Sequence, residues 1–177
     1  MCKRIAVIGN ADTCYGYGQY IDSMDVVIRV NFGDMIPDDM KEHIGSKTDL
    51  VYHCINFFKQ YKLTPPKNIS FSPIDNILRT KLRDKYKAVP SSGIMAIIQA
   101  LHLKPDVLFV SGFSFFRSAY RCGLNETGRE KAEESRVKLL KGHLPHKSKA
   151  DLKIFTRILK KNPCIELDDY LTNIFMK

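Results

Sequence analysis

Residues 88–113, AVPSSGIMAIIQALHLKPDVLFVSGF, place a tight loop, an apolar helix and an apolar strand in immediate succession. Pro90 disfavours helix in the residue before it, whereas Ser91 and Ser92 are both favourable N-cap residues. Apolar residues then occupy nearly every side of the helical pattern that runs over residues 94–103. The stretch therefore predicts a helix that begins just after Pro90 and lies in the protein interior.

The strand that follows this helix is a short, continuous apolar run from Val107 to Val110, and Gly112 ends it. Such runs are typical of strands buried within a parallel sheet. The N–H groups in the first turn of the preceding helix have no partner within the helix, and Gly93 lets a ligand approach them, which predicts an anion site. The alternative is an ordinary capped helix without a ligand.

The rest of the chain alternates predicted strands with predicted helices. Strands are predicted over residues 5–9, 25–31, 50–54, 67–71 and 162–167, and helices over 74–87, 147–161 and the residues after Asp168. This alternation predicts an α/β protein: one Rossmann-like domain over residues 1–177, with an open, mostly parallel sheet and helices on both faces. Asn10 and Asn31 follow the first two strands, at the sheet edge where open α/β proteins bind ligands.

Length, charge and cysteine content limit the class of protein. The 177 residues carry a net charge of +9, which favours polyanionic partners such as nucleotides, phospholipid surfaces or nucleic acid. No run of about 18 apolar residues occurs and the N-terminus does not resemble a signal peptide, so no transmembrane segment is expected. Five scattered cysteines without a C-x-x-C pair predict reduced thiols in a cytoplasmic protein, not a zinc site or disulfide framework.

Two segments need separate interpretation. Gly16-x-Gly18 lacks the third glycine and the opening helix of a dinucleotide-binding motif, so that interpretation is rejected.

Residues 113–145 are the least regular part of the chain. A long segment that leaves the carboxyl end of a strand is a candidate lid over a site.

Taken together, these residues resemble the motifs of sialyltransferases, glycosyltransferases of family 29 type. Residues 5–54, which begin IAVIGNADTCYGYGQYID, are similar to the long motif of that family. Its matching elements are, in order, Gly9-Asn10, Gly16-x-Gly18, Ile21-Asp22, Arg29-x-Asn31 and Gly45-x-Lys47-Thr48. Residues 90–113 are similar to the short motif, through Pro90-Ser91-Ser92-Gly93 and Ser111-Gly112-Phe113.

A third similarity lies near the end of the chain. His146, followed five positions later by Asp151, resembles the very small motif His-x-x-x-x-Glu. Bacterial lipooligosaccharide sialyltransferases are similar in having a Ser-Gly loop and a His followed by Asp at that interval.

The chain also departs from the animal enzymes. Ile5 and Lys104 stand where those enzymes join the long and short motifs by a disulfide, which agrees with the expected reducing compartment. Neither their stem nor their membrane anchor is expected here. Their His-Tyr motif has no clear counterpart, and Tyr120 or His143 could take its place.

The resemblance implies a GT-A-variant fold and an inverting, metal-independent transfer of sialic acid or a related sugar from a CMP-sugar to a glycan acceptor. His146 would be the general base, and Asp151 would share the catalytic site, orient that histidine or close the helix start. The Asn10 and Asn31 amides would donate to the phosphate and ribose. The implied donor-binding residues are Gly9, Asn10, Asn31, Ser91, Ser92, Gly93, Gly112 and Phe113. No cofactor and no metal site are expected, because no Asp-x-Asp follows a strand.

Other functions stay open on the sequence. The same fold and nucleotide-sugar pocket could glycosylate nucleic acid or another polyanion, for which the charge of +9 is suited, or the protein could be a catalytically silent nucleotide-binding protein. Peripheral contact with a membrane through the basic surface is a further expectation. His146 could also be an ordinary surface residue, and Asn10 and Asn31 could be turn residues that bind their own backbone.

Overall fold

Parallel strands form the centre of the protein. The computed structural model describes residues 2–31, 33–53, 70–73, 76–118, 133–134, 137–138, 141 and 147–176. Its six-stranded sheet has the order β4-β3-β2-β1-β5-β6, and each neighbouring pair is parallel. The strands are β1 (Arg4–Ile8), β2 (Val26–Val30), β3 (Leu50–His53), β4 (Ser70–Pro73), β5 (Val107–Ser111) and β6 (Ile165–Leu167).

Helices of the described residues connect these strands. They are α1 (Gly18–Asp22), α2 (Lys41–Ile44), α3 (Asn76–Tyr86), α4 (Ser92–His102), α5 (Ser148–Lys161) and α6 (Asp169–Phe175), with a 3-10 turn at Asp38–Met40. None of the helices in the described part of the chain has both the length and the apolar character needed to cross a bilayer.

The sheet is buried on both faces. Along β1, Ile5 and Val7 face one core and Ala6 and Ile8 face the other, because successive side chains of a strand point to opposite faces. The first core lies against α4, α5 and α6, and the second lies against α1 and α2. Burial on both faces explains why the strands read as continuous apolar runs. The predicted fold class is confirmed.

Some boundaries differ from the prediction. The last strand begins at Ile165 instead of 162, and β4 extends to Pro73, whereas residues 67–69 lie outside the described part. A short helix does open at Gly18, contrary to the prediction. Its five residues are too few to show a helical period, and burial of Ile21 in the second core holds it in place.

Candidate active site

A cleft opens at the carboxyl ends of β1, β2 and β5. This is the point where strand order reverses, because β2 to β4 extend from one side of β1 and β5 and β6 from the other. Open α/β sheets bind ligands in the crevice at this switch point. The cleft has a volume of about 580 Å³, including the open solvent at its mouth. It is lined by residues 9–11, 30–31, 91–94, 112–116 and Asp151.

Two glycines form the floor of the cleft. The Gly9 N–H donates to the Ser111 carbonyl at 2.8 Å, and the Ala11 N–H donates to the Gly112 carbonyl at 2.9 Å. A Cβ at Gly9 would lie 2.3 Å from the Gly112 carbonyl oxygen, and Gly112 itself has φ +74°. Only glycine permits this approach of two backbones, so both positions are fixed by geometry.

The asparagines that follow β1 and β2 line the cleft, and each has a buried amide oxygen without a partner in the described part of the chain. Asn10 Nδ2 donates to the Val30 carbonyl at 2.8 Å, while the buried Asn10 Oδ1 has no partner among the described residues. Asn31 has φ +54°, a conformation that asparagine tolerates, and its buried Oδ1 also lacks a partner in that part of the chain. The hydrogen bond to Val30 fixes the Asn10 amide at the end of β1. That the Asn10 and Asn31 amides donate to a ligand stays a prediction.

The N-terminus of α4 supplies donors. Ser91 is the N-cap, and its side chain accepts from the Ile94 N–H at 3.3 Å. Within the described residues the N–H groups of Ser92 and Gly93 have no acceptor. A Cβ at Gly93 would lie 2.3 Å from the Phe113 ring, so the ring packs directly on this turn. The cleft thus presents free N–H groups at the positive end of a helix dipole.

Asp151 is a buried carboxyl group at the edge of the cleft. It lies in the first turn of α5 and is 2% exposed. Its Oδ1 accepts from the Ser91 N–H at 3.3 Å. Burial raises the pKa of Asp151 to about 6, although hydrogen bonds from Ser91 and the charge of Arg79 act in the opposite direction. Asp151 can therefore change protonation state near neutral pH.

Asp168 fixes the far wall of the cleft, a role that the sequence did not reveal. Its Oδ1 accepts from the Leu171 N–H at 2.8 Å, so Asp168 caps the start of α6. Its Oδ2 accepts from the Ser111 hydroxyl at 2.7 Å and from the Gly112 N–H at 3.0 Å. Burial raises the pKa of this fully buried carboxyl group, and the three hydrogen bonds oppose the shift. One side chain therefore joins α6 to the end of β5.

Other polar residues of the long-motif stretch lie away from the cleft. Arg29 is fully buried and donates to the carbonyls of Ile44, Gly45 and Lys47 and to the Thr48 hydroxyl, at 2.8–3.2 Å. Asp22 accepts from the N–H groups of Ser46 and Lys47, the closest contacts being 2.8 Å. We call Asp22, Arg29 and residues 45–48 the support network. Its role is to hold the loop that leads into β3.

The aromatic residues after β5 adopt unusual backbone conformations. Phe115 and Phe116 have φ +52° and +67°. Such values are uncommon for bulky residues and cost on the order of 1–3 kcal/mol each. Phe115 compensates by packing against Phe155 and Phe175, with ring centroids 5.5 Å and 5.8 Å apart. The wall of the cleft is therefore strained but anchored in the core.

The structure brings most predicted site residues together. Gly9, Asn10, Asn31, Ser91, Ser92, Gly93, Gly112, Phe113 and Asp151 all line the one cleft. His146, Tyr120 and His143 lie outside the described residues, as does most of the candidate lid at 113–145. In the described part of the chain, no group of three or more His, Cys, Asp or Glu residues is placed to hold a metal ion.

Two comparisons with known proteins relate the chain to sialyltransferases, while no curated protein sequence matches it. Residues 1–71 match the model of Glycosyltransferase family 29 (sialyltransferase). The structure is similar to that of a mammalian sialyltransferase in complex with Gal-beta-1-3GalNAc-ortho-nitrophenol, with a TM-score of 0.59 and 20% identity over 94% of this chain and 69% of that one.

Bacterial structures are similar as well. The sialyltransferase CstII from Campylobacter jejuni, in complex with the substrate analogue CMP-3FNeuAc, gives a TM-score of 0.60 at 14% identity, over 97% of this chain and 84% of that one. A variant of the same sialyltransferase in complex with CMP gives 0.65 at 15% identity and the same coverage. The predicted resemblance is confirmed: residues 1–71 match the sequence model of glycosyltransferase family 29, and the described chain has the fold of sialyltransferases.

Proposed function

We propose that the protein is an inverting, metal-independent glycosyltransferase that transfers sialic acid or a related sugar from a CMP-sugar to a glycan acceptor. One observation carries the proposal: the eight residues predicted to bind the donor line a single cleft at the switch point of a sialyltransferase fold. The family 29 match over residues 1–71 and the CMP bound to similar structures support the same donor class.

The unused oxygens of Asn10 and Asn31 are suited to a cytidine nucleotide. Both atoms are acceptors, so the ligand must supply donors to satisfy them. Ribose hydroxyls do so, and cytosine offers an exocyclic amino group where uracil offers a carbonyl oxygen. An asparagine oxygen that faces the edge of the base, being a hydrogen-bond acceptor, therefore favours cytosine over uracil.

The start of α4 is suited to the leaving phosphate. The free N–H groups of Ser92 and Gly93 stabilise negative charge that develops as the sugar–phosphate bond breaks. The described strand ends that border the cleft carry asparagine amides instead of paired carboxylates. Neutral donors at the phosphate are the basis for proposing a metal-independent reaction.

The acceptor hydroxyl supplies the nucleophile. Its oxygen attacks the anomeric carbon as the bond from that carbon to the phosphate oxygen breaks, CMP departs, and the hydroxyl proton passes to a base. A single displacement of this kind inverts the anomeric centre. His146 is proposed as the base, since an imidazole with a pKa of about 6.5 accepts a proton near neutrality. Asp151, five residues after His146 in the sequence motif, accepts a hydrogen bond from the Ser91 N–H.

The described cysteines support a cytoplasmic location. Cys2 and Cys164 are free thiols, and Cys2 is exposed. Free thiols persist in reducing compartments, whereas oxidising ones favour disulfides.

Ligand-induced thermal stabilisation and a transfer assay test the function together. CMP is expected to raise the melting temperature more than UMP or GMP at equal concentration, because only a ligand of the folded state stabilises it. His146→Ala should reduce transfer by roughly 10²–10⁴ while leaving CMP binding intact. Equal shifts with all three nucleotides would refute the donor assignment, and normal transfer by the His146 variant would refute the base.

A further inference from the structure

We propose that a groove between α3 and α5 binds an acidic acceptor glycan, one that carries a carboxylate or phosphate on several successive sugars. The inference rests on the proposed glycosyltransferase function and names the class of its acceptor. This basic groove is lined by Lys85 and Tyr86 of α3 and by Lys153, Arg157, Lys160 and Lys161 of α5.

The basic groove concentrates positive charge that the described residues do not neutralise. Five of its lining side chains are cationic and exposed, and none of the described residues that line it is acidic. None of the five cations forms an ion pair with another described residue. Elsewhere lysines do pair, as Lys41 does with Asp38 at 2.7 Å. The basic groove is therefore suited to an anionic ligand.

The row of charges along α5 opposes helix stability. Lys149, Lys153, Arg157 and Lys161 follow one another at intervals of four residues, so they form one stripe along the helix. Like charges at this spacing repel and destabilise a helix. The helix dipole favours cations in the last turn, which accounts for Lys161 but not for Lys153. Binding of an anion gives a reason for the three members of the stripe that line the basic groove, Lys153, Arg157 and Lys161.

The spacing of the stripe suits a chain of charged sugars. Four residues of α-helix rise about 6 Å, so successive cations are separated by roughly that distance along the helix axis. That rise is close to the length of one sugar in an extended glycan. A glycan with an acidic group on each sugar could therefore bring successive charges to successive cations.

Both walls of the basic groove lie close in sequence to residues of the cleft. The α3 wall ends at Tyr86, five residues before Ser91, and the α5 wall begins at Lys153, two residues after Asp151. Ser91 and Asp151 meet at the cleft through their 3.3 Å hydrogen bond. A glycan with its acceptor end at the cleft can extend its acidic sugars into the basic groove.

The composition of the basic groove favours a glycan over two other polyanions. Platforms for single-stranded nucleic acid stack bases on several aromatic side chains, whereas Tyr86 is the one aromatic residue among the described residues that line this groove. Helices that bind membranes expose apolar side chains beside their cations. Among the described residues, no large apolar side chain of α5 is exposed.

The test compares two double variants with the same loss of charge. Lys153→Gln with Arg157→Gln alters the basic groove, and Lys41→Gln with Lys104→Gln removes exposed cations elsewhere. The probe is hexagalacturonate, which carries a carboxylate on every sugar, with neutral maltohexaose as the reference. Binding is measured by calorimetry with and without CMP. The groove variant should bind hexagalacturonate roughly tenfold more weakly, and the control variant should bind it as the wild type does.

The outcomes separate the inference from the proposed function. CMP should stabilise both variants equally, and the wild type should bind hexagalacturonate better than maltohexaose, with an affinity that falls with salt. Equal hexagalacturonate binding by the two variants, with CMP binding intact, would overturn the groove assignment alone. A wild type that fails to bind CMP would overturn the proposed function and the acceptor role together. Preference for a single-stranded oligonucleotide or for vesicles rich in phosphatidylserine, lost in the groove variant, would also overturn the glycan assignment.

Discussion

The support network and the cleft at the carboxyl ends of β1, β2 and β5 use polar residues of one stretch in opposite ways. In the support network, Arg29 and Asp22 meet backbone partners on the 45–48 loop at close range. In the cleft, oxygens of Asn10 and Asn31 are buried without a partner among the described residues. A buried polar group without a partner costs free energy that a ligand can recover. The contrast separates residues that maintain the fold from residues that are placed to bind.

Two carboxyl groups show the same contrast in their pKa values. Burial acts to raise the pKa of Asp22, but hydrogen bonds from the Lys47 and Ser46 N–H groups lower it below its ordinary value. Burial raises the pKa of Asp151 to about 6. The support network thus favours a charged carboxylate, and the cleft favours a neutral one.

The largest expected effect is the loss of Arg29. Arg29→Met leaves the carbonyls of Ile44, Gly45 and Lys47 without their donor, so the free energy of unfolding should fall by about 4 kcal/mol. Urea denaturation measures it. Asn31→Gly, two residues along the chain, is the control and should cost less than about 1 kcal/mol, because glycine tolerates the φ of +54° at this position. Similar losses of unfolding free energy in both variants would mean that the support network does not stabilise the fold more than the cleft does.

Asp151→Asn should stabilise the protein above neutral pH. Because the folded pKa of about 6 exceeds the unfolded value near 3.9, the contribution of Asp151 to stability is complete below the unfolded value and is lost as pH rises through 6. Asparagine keeps an oxygen for the Ser91 N–H and cannot ionise. The variant should therefore exceed the wild type by about 2 kcal/mol at pH 7.5 and match it near pH 4.

Denaturant unfolding at both pH values checks this difference. Asp39→Asn, a change at an exposed carboxyl group, is the control and should show no such crossover. An Asp151 variant that is less stable than the wild type at pH 7.5 would contradict the argument.

Asn10→Ala should weaken CMP binding by roughly tenfold, because it removes an oxygen that the ligand satisfies. It should also reduce transfer. Asn162→Ala is a matched control, since Asn162 Nδ2 likewise donates to a backbone carbonyl, that of Ile158, at 2.6 Å. Calorimetry measures the affinity of each variant for CMP. Equal affinity of the two variants for CMP would show that Asn10 does not contribute to nucleotide binding.

The smallest effect is expected for Asp22→Asn. Its lowered pKa means that the carboxylate stabilises the fold above the unfolded pKa and that this contribution disappears as pH falls through the folded pKa. Asp22 is exposed, so solvent screening keeps the loss at pH 7 below about 1 kcal/mol. Unfolding measured at pH 7 and pH 3 should show a difference from the wild type only at pH 7.

The sequence predicted the sheet and the cleft better than it predicted the roles of single residues. Continuous apolar runs identify buried parallel strands, and Ser91 follows ordinary capping rules. The roles of Arg29 and of Asp168 Oδ2 depend on groups distant in sequence, which local patterns do not reveal. An arginine within an apolar strand was nevertheless a signal, since a buried guanidinium needs several acceptors.

Because β1 lies in the centre of the sheet, the cleft forms late in folding. One edge of β1 pairs with β2 and the other with β5, where Arg4 is opposite Val107. The second edge of β1 is therefore uncovered until β5 has formed. Pairings this distant in sequence are slow, and an uncovered strand edge invites association with other chains. The 1–71 segment that matches family 29 contains Asn10 and Asn31 but not the Ser91 turn that faces them. During synthesis, nucleotide binding would therefore appear only after the second half of the chain has joined the first.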